Sequence, residues 1–123
     1  MKKQMPFDFI LNYLPRKIVV HPAIGMFYIY FDKKIVLIAR QTAKNKQHNG
    51  LWIATNREDH ASLKAEIPAI TDFVFDEGKE VDSPWLLLKE DHDDFETAAG
   101  TVCELILNRD KRIGRVTKKS EIM

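Results

Sequence analysis

The sequence predicts an α+β domain with a central, mainly antiparallel sheet of about five strands and three helices. Two apolar runs at residues 26–31 and 35–39 flank the polar break 32–34, as paired strands and their turn do. Elsewhere, residues 56–67 and 93–108 place apolar side chains at helical spacing. Because both periods occur in one short chain, we expect helices packed on a sheet, in the order α-β-β-β-β-α-β-β-α.

The N-terminal part of the chain predicts a short helix and a short strand. Residues 6–14 carry large apolar side chains at helical spacing. Pro15 ends this helix, because the residue before a proline is excluded from the helical region. Residues 17–21 then predict a strand. Pro22 is expected to close it, because proline has no N–H to donate to a ladder.

The hairpin at residues 26–39 is apolar on both of its alternating faces, so we expect its strands to be central and covered on both sides. Residues 41–50 follow as a polar loop that protrudes from the sheet. Residues 51–55 predict the next strand. Thr55 and Glu58 have the spacing of a capping box, which predicts a helix from Asn56 to about Ile67.

The second half of the chain predicts two strands and a long helix. The strands cover residues 72–75 and 85–88 and are joined by an acidic loop at 76–84. The helix at 93–108 has one apolar stripe, formed by Phe95, Ala98, Ala99, Val102 and Ile106. Gly100 in its interior suggests close packing against a neighbour, because glycine otherwise weakens a helix.

The length of 123 residues indicates one domain, which we place at residues 1–108. Residues 109–123 are basic and polar, and we expect them to fray as a C-terminal tail. Charge is uneven along the chain: the net charge is +7 over residues 1–64, −10 over 65–107 and +4 over 108–123. Such asymmetry is typical of a basic binding face, or of complementary charges on folded neighbours.

Several functional classes have no support in the sequence. Cys103 is the single cysteine, which excludes an intrachain disulfide and a cysteine-based metal cluster, and we expect it to be a buried core residue. The four histidines are scattered. No cofactor, metal or catalytic motif is present, so we expect a non-enzymatic protein without a cofactor. No window is apolar enough for a membrane span or a signal peptide, which indicates a cytoplasmic protein with no membrane partner.

Residues 6–108 resemble a known family. The features that carry the resemblance are the strand pair around 32–34, the strand Leu51-Trp52-Ile53, the helix start Asn56-Arg57, and Trp85 ahead of an apolar strand and a long last helix. This order is similar to that of the MmcQ/YjbR-like proteins and, more loosely, of the TfoX N-terminal domain. The resemblance implies an α+β fold with a central antiparallel sheet, and a role in binding DNA.

Two basic segments are the candidate nucleic-acid-binding sites. The first lies on the polar loop and the second follows the last helix; their residues are Arg40, Lys44, Lys46, His48, Arg109, Lys111, Arg112 and Arg115. Cations on a loop and a tail can contact the phosphates of double-stranded DNA. Two alternatives stay open: a protein-interaction or homodimerisation module with no nucleic-acid role, and a small-ligand-binding domain.

Overall fold

A computed structural model describes residues 5–75, 79–80 and 83–121. Its strands are β1 (Val19–Ala23), β2 (Met26–Phe31), β3 (Lys34–Arg40), β4 (Gly50–Ile53), β5 (Val74–Phe75), β6 (Lys79–Glu80) and β7 (Leu86–Lys89). Its α-helices are α1 (His60–Glu66), α2 (Phe95–Leu107) and α3 (Lys118–Glu121), and short 3-10 helices cover Asp8–Asn12, Lys46–His48 and Arg57–Asp59.

The main sheet has five antiparallel strands in the order β1-β2-β3-β4-β7, which confirms the predicted fold class. The strand expected at residues 72–75 does not join it. Instead, β5 pairs with β6 in a separate two-stranded sheet, and Thr71 forms an isolated bridge with Leu87 at the outer edge of β7. Residues 76–78 and 81–82 of the predicted acidic loop lie outside the described residues.

The larger core lies between one face of the sheet and the helices α1 and α2. The predicted stripe of α2 is buried there, together with Cys103. Phe95 also contacts the rings of Phe7 and Phe9 from the N-terminal segment, with centroid distances of 5.0 and 6.1 Å. Gly100 is not a close-packing site, because a Cβ built on it would meet no atom within 4 Å.

A smaller cluster covers the other face of the sheet. Its buried members are Tyr30, Ile35, Ile38 and Ala54, and Met26, Tyr28, Trp52 and Trp85 pack on it partly buried. A β-bulge allows this arrangement. Ile29 pairs with Leu37 but Tyr30 pairs with Ile35, so Val36 is an extra residue that reverses which side chains face which way. The prediction that β2 and β3 are covered on both sides is confirmed.

Two predicted elements differ at the N-terminal end. The expected helix is only a five-residue 3-10 helix, with Phe7 before it in a left-handed conformation at φ 59°. The strand begins later and contains Pro22 rather than ending before it. Ala23 and Met26 flank the two-residue turn of the β1–β2 hairpin and pair with each other. Backbone N–H and C=O groups of successive strand residues point in opposite directions, so the backbone nitrogen of Pro22 points away from β2, to the outer edge of the sheet. Proline is tolerated at such an edge, where no ladder bond is lost.

The described residues beyond α2, 108–121, pack on the rest of the domain, whereas we expected a frayed tail. Ile113 is buried, and the backbone of Arg115 exchanges hydrogen bonds with Ile35 at the start of β3. Thr55 does not cap a helix as predicted. Its buried hydroxyl donates instead to the carbonyl of Arg112, at 2.6 Å.

The last described helix, α3, is capped by its own sequence. The backbone N–H of Thr117 donates to the hydroxyl of Ser120, and the N–H of Ser120 donates to that of Thr117. This reciprocal pair follows the logic of a capping box. α3 contacts β3, so residues 113–121 extend the structure along the start of that strand.

Candidate nucleic-acid interface

The loop between β3 and β4 is held together by Arg40 and Asn49. The Arg40 guanidinium donates to the carbonyls of Lys44 and Asn45 and to Asn49 Oδ1, at 3.0, 2.9 and 2.8 Å. The Asn49 side chain is 2% exposed and also exchanges hydrogen bonds with the backbone of Thr42. The structure therefore uses Arg40, a predicted DNA contact, to shape the loop.

His48 is also placed in the interior rather than on the loop surface. It is 8% exposed, and its ring lies 5.9 Å from that of Phe73. Its carbonyl accepts a hydrogen bond from the indole of Trp52. Of the four predicted loop residues, only Lys44 and Lys46 are exposed.

The acidic segment that follows β7 lies directly against this loop. The side chain of Gln41 donates to Glu90 Oε2 at 2.9 Å, and the Glu90 N–H donates to the carbonyl of Asn49 at 3.0 Å. Exposed carboxylates continue through the next residues at Asp91, Asp93 and Asp94. They suit the positive N-terminus of α2. They also weaken the attraction of this end of the molecule for phosphate.

Two of the predicted arginines beyond α2 form structural contacts. Arg112 donates to Asp110, Glu66 and Ser62, and so attaches this segment to α1. These hydrogen bonds from Arg112 hold the pKa of the Asp110 carboxyl below its ordinary value. Arg115 donates to the Thr55 carbonyl and to Asn56 Oδ1, at 2.9 and 2.7 Å.

The other two, Arg109 and Lys111, are exposed at the end of the sheet where β2 turns into β3. Three lysines that we did not select from the sequence lie near them. We call the set of five the basic end: Lys17, Lys33, Lys34, Arg109 and Lys111. Among the described residues, none of its four lysines forms an ion pair. Arg109 Nε lies 3.6 Å from Asp32 Oδ2, and its guanidinium lies 5.3 Å from the centre of the Phe31 ring.

The basic end and the lysines of the loop lie at opposite ends of β3. The strand is seven residues long, and at about 3.3 Å per residue it separates them by roughly 20 Å. The two predicted clusters therefore do not form one surface. The basic end carries a net positive charge because Asp32 offsets only one of its five cations.

A groove opens on the basic end, between the start of β1 and the residues after α2. Its volume is about 310 Å³, and its lining consists of three cations, one carboxylate and three apolar or aromatic residues: Lys17, Lys33, Arg109, Asp32, Val19, Tyr30 and Phe31. Val19 is 40% exposed, whereas the two aromatic rings are nearly buried. The groove thus combines an apolar wall with a cationic rim.

Of the five non-glycine residues with positive φ in the described part of the chain, three line this groove. Asp32 and Lys33 have φ angles of 55° and 62°, and Arg109 has 56°. The left-handed conformation is unfavourable for residues that have a Cβ. Glycine is therefore favoured in a tight hairpin turn, where Asp32 and Lys33 lie, and just after a helix, where Arg109 lies. Cations occupy two places where stability alone favours glycine. Such outliers are typical of functional sites.

The sequence signal for the additional lysines was visible but ambiguous. Lys33 and Lys34 lie in the polar break that predicts the hairpin turn, and a turn explains polar residues without a function. Lys17 is a single cation ahead of a strand. Their association with Arg109 depends on the path of α2, which returns the chain to this end of the sheet.

Other reactive groups are placed structurally. Burial raises the pKa of the Cys103 thiol to about 12, which leaves it protonated at neutral pH. His60 Nε2 donates a hydrogen bond to the carbonyl of Pro84 at 2.8 Å, and Lys64 forms an ion pair with Asp72. These contacts connect α1 to neighbouring segments. Among the described residues, no group of three or more His, Cys, Asp or Glu side chains is placed to hold a metal.

No helix in the described part of the chain is both long and apolar enough to span a bilayer.

Comparison with protein-family models, with curated proteins and with solved structures gives no match. The similarity to MmcQ/YjbR-like proteins therefore stays a prediction from the sequence.

Proposed function

We propose that the protein is a small non-enzymatic binding module of the YjbR-like kind that binds nucleic acid through the basic end. The observation that carries this proposal is the set of exposed cations around one groove, two of them on strained backbone. Phosphate contacts by lysine and arginine supply affinity without sequence specificity. We propose the cytoplasm as its compartment, where a free thiol such as Cys103 stays reduced.

Double-stranded DNA is the first ligand to test, by fluorescence anisotropy of a labelled duplex at about 50 and about 200 mM salt. With about five phosphate contacts, log Kd should change with log salt with a slope of about 4 to 5. Unchanged anisotropy at micromolar protein in the lower salt would overturn the proposal.

Matched double variants locate the interface. Lys33→Gln with Lys111→Gln removes two cations from the basic end and should lower the salt slope by about two. Lys44→Gln with Lys46→Gln removes the same charge from the loop and should leave the slope near its original value. A larger loss in the loop variant than in the basic-end variant contradicts the assignment.

Self-association is the second candidate, and the opposed charges of the two ends favour it. Carboxylates near Glu90 lie at one end of β3 and the basic end lies at the other. Two copies that lie side by side and antiparallel would pair each acidic end with the basic end of the other copy, as a closed two-fold homodimer. Light scattering at low salt tests this candidate, and a constant monomer mass up to high protein concentration rules it out.

A further inference from the structure

We propose that the groove of the basic end takes an unpaired nucleotide, so that the protein prefers DNA with a single-stranded tail over blunt duplex. This inference rests on the proposed binding of nucleic acid at the same end. It goes further because it assigns the apolar wall of the groove, which phosphate binding alone does not use.

The composition of the groove selects the occupant. Lys17 and Lys33 supply positive charge in addition to Arg109, and Asp32 lies close enough to Arg109 to offset one of these three cations. The remaining charge favours an anion. Exposed Val19, with the nearly buried Tyr30 and Phe31 beside it in the lining, favours an apolar group next to that anion. A nucleotide joins a phosphate to a flat base.

The size of the groove argues for one nucleotide rather than a long segment. Its volume of about 310 Å³ lies at the lower end of the range of small-ligand clefts, roughly 300–1,000 Å³. A paired base is stacked inside the duplex and cannot present its face to a protein side chain. Only an unpaired base can reach the apolar wall while its phosphate contacts the rim.

Arg109 is placed to position such a base. Its guanidinium lies over the ring of Phe31, and the residue, which has a left-handed backbone conformation, is part of the groove lining. A guanidinium plane can stack on a base as it does on an aromatic ring. The strained backbone of Arg109 and Lys33 then holds two cations beside one apolar wall.

The test compares three labelled DNAs by fluorescence anisotropy at low salt: a blunt duplex, the same duplex with a short thymidine tail, and the same duplex with an abasic tail of equal length. The abasic tail adds the same phosphates without bases. The base adds contacts with Val19 and with the guanidinium plane of Arg109 that the abasic tail lacks, so we expect the thymidine tail to bind about tenfold tighter than the abasic tail.

Variants assign that ratio to the groove. Val19→Gln fills the groove with a neutral polar side chain and should reduce the ratio to about one, whereas the shape-conserving Val19→Thr should retain it. Ile24→Gln is the matched control, because Ile24 lies on the same hairpin, outside the groove lining, and is 93% exposed. Thermal unfolding verifies that each variant is folded.

The outcomes separate the two proposals. Equal affinity for thymidine and abasic tails overturns the groove assignment and leaves phosphate binding at the basic end intact. A tenfold ratio that persists in Val19→Gln also overturns it, because the base then binds elsewhere. Absence of binding to all three DNAs overturns the proposed function itself.

Discussion

Lys33 and Gly50 show how single residues decide local conformation in this chain. Lys33 is the second turn residue of the β2–β3 hairpin, at φ 62°, where glycine is the favoured residue. Gly50 begins β4 at φ 143°, and a Cβ there would lie 2.0 Å from the carbonyl oxygen of Leu88. One position tolerates a side chain at a cost and the other excludes it.

We predict that Lys33→Gly stabilises the fold and weakens DNA binding. Glycine relieves the left-handed strain, which exceeds its own entropic cost, so the free energy of unfolding should rise by about 0.5–1 kcal/mol. The loss of one cation from the basic end should weaken DNA binding at low salt. Urea unfolding and anisotropy on the same protein measure both effects. A destabilised variant would show that the turn is not strained as described.

Two glycine substitutions should have opposite effects on stability. Gly50→Ala should lower the free energy of unfolding by more than about 2 kcal/mol, because the new Cβ collides with the backbone of β7. Gly100→Ala should raise it by about 0.5–1 kcal/mol, because alanine favours the helix and the site is open. Urea denaturation of both variants checks the pair, and equal shifts contradict it.

At the scale of elements, the segment after α2 owes its order to contacts with three other parts of the chain. Arg112 attaches it to α1, Ile113 enters the larger core, and Arg115 pairs with the start of β3. A basic and polar sequence predicts none of these contacts by its composition. Arg112 and Arg115, two of the arginines selected from the sequence as DNA contacts, hold this segment in place.

The Asp110–Arg112 contact should make stability depend on pH in acid. Because Arg112 lowers the pKa of Asp110 in the folded state, the contact stabilises the protein above the unfolded pKa of about 3.9 and is lost as the pH falls below it. Urea unfolding from about pH 7 to about pH 3 should show a shallower decline in Asp110→Asn than in wild type. Asp91→Asn, an exposed change at the other end, is the control. A decline as steep as wild type in Asp110→Asn would contradict the assignment.

At the scale of the whole molecule, one sheet joins two hydrophobic clusters. β2, β3 and β4 contribute side chains to the larger core on one face and to the smaller cluster on the other. Neither cluster can be lost without disrupting strands that the other needs. Charges are separated along α2: carboxylates lie at its N-terminus and cations lie beyond its C-terminus, as the helix dipole favours.

Unfolding should therefore be a single transition. Tryptophan fluorescence reports on Trp52 and Trp85 in the smaller cluster, and far-UV circular dichroism reports on the helices packed on the larger core. Because both clusters share the same strands, the two probes should give the same urea midpoint. Separate midpoints would show that the two faces of the sheet unfold independently.

The amino-acid pattern is sufficient to predict the fold class, because the signals for strands and helices are local. Two continuous apolar runs on either side of a polar break identified β2 and β3, and the spacing of five apolar side chains identified α2, within one or two residues of its ends. A local pattern predicts the wrong hydrogen bond when a distant group competes for the same side chain. Thr55 and Glu58 have the spacing of a capping box, but the Thr55 hydroxyl donates a hydrogen bond to the backbone carbonyl of Arg112, 57 residues away along the chain.

Which cations are available to a ligand depends on contacts that form when the chain folds. Arg40, His48, Arg112 and Arg115 are drawn into the fold, whereas Lys17, Lys33 and Lys34 meet Arg109 at the basic end. Sequence records the charge of a side chain but not its neighbours. A guanidinium satisfied by carbonyls and carboxylates is structural, and the same group over an open groove can bind, because exposure and partners are set by contacts between distant segments.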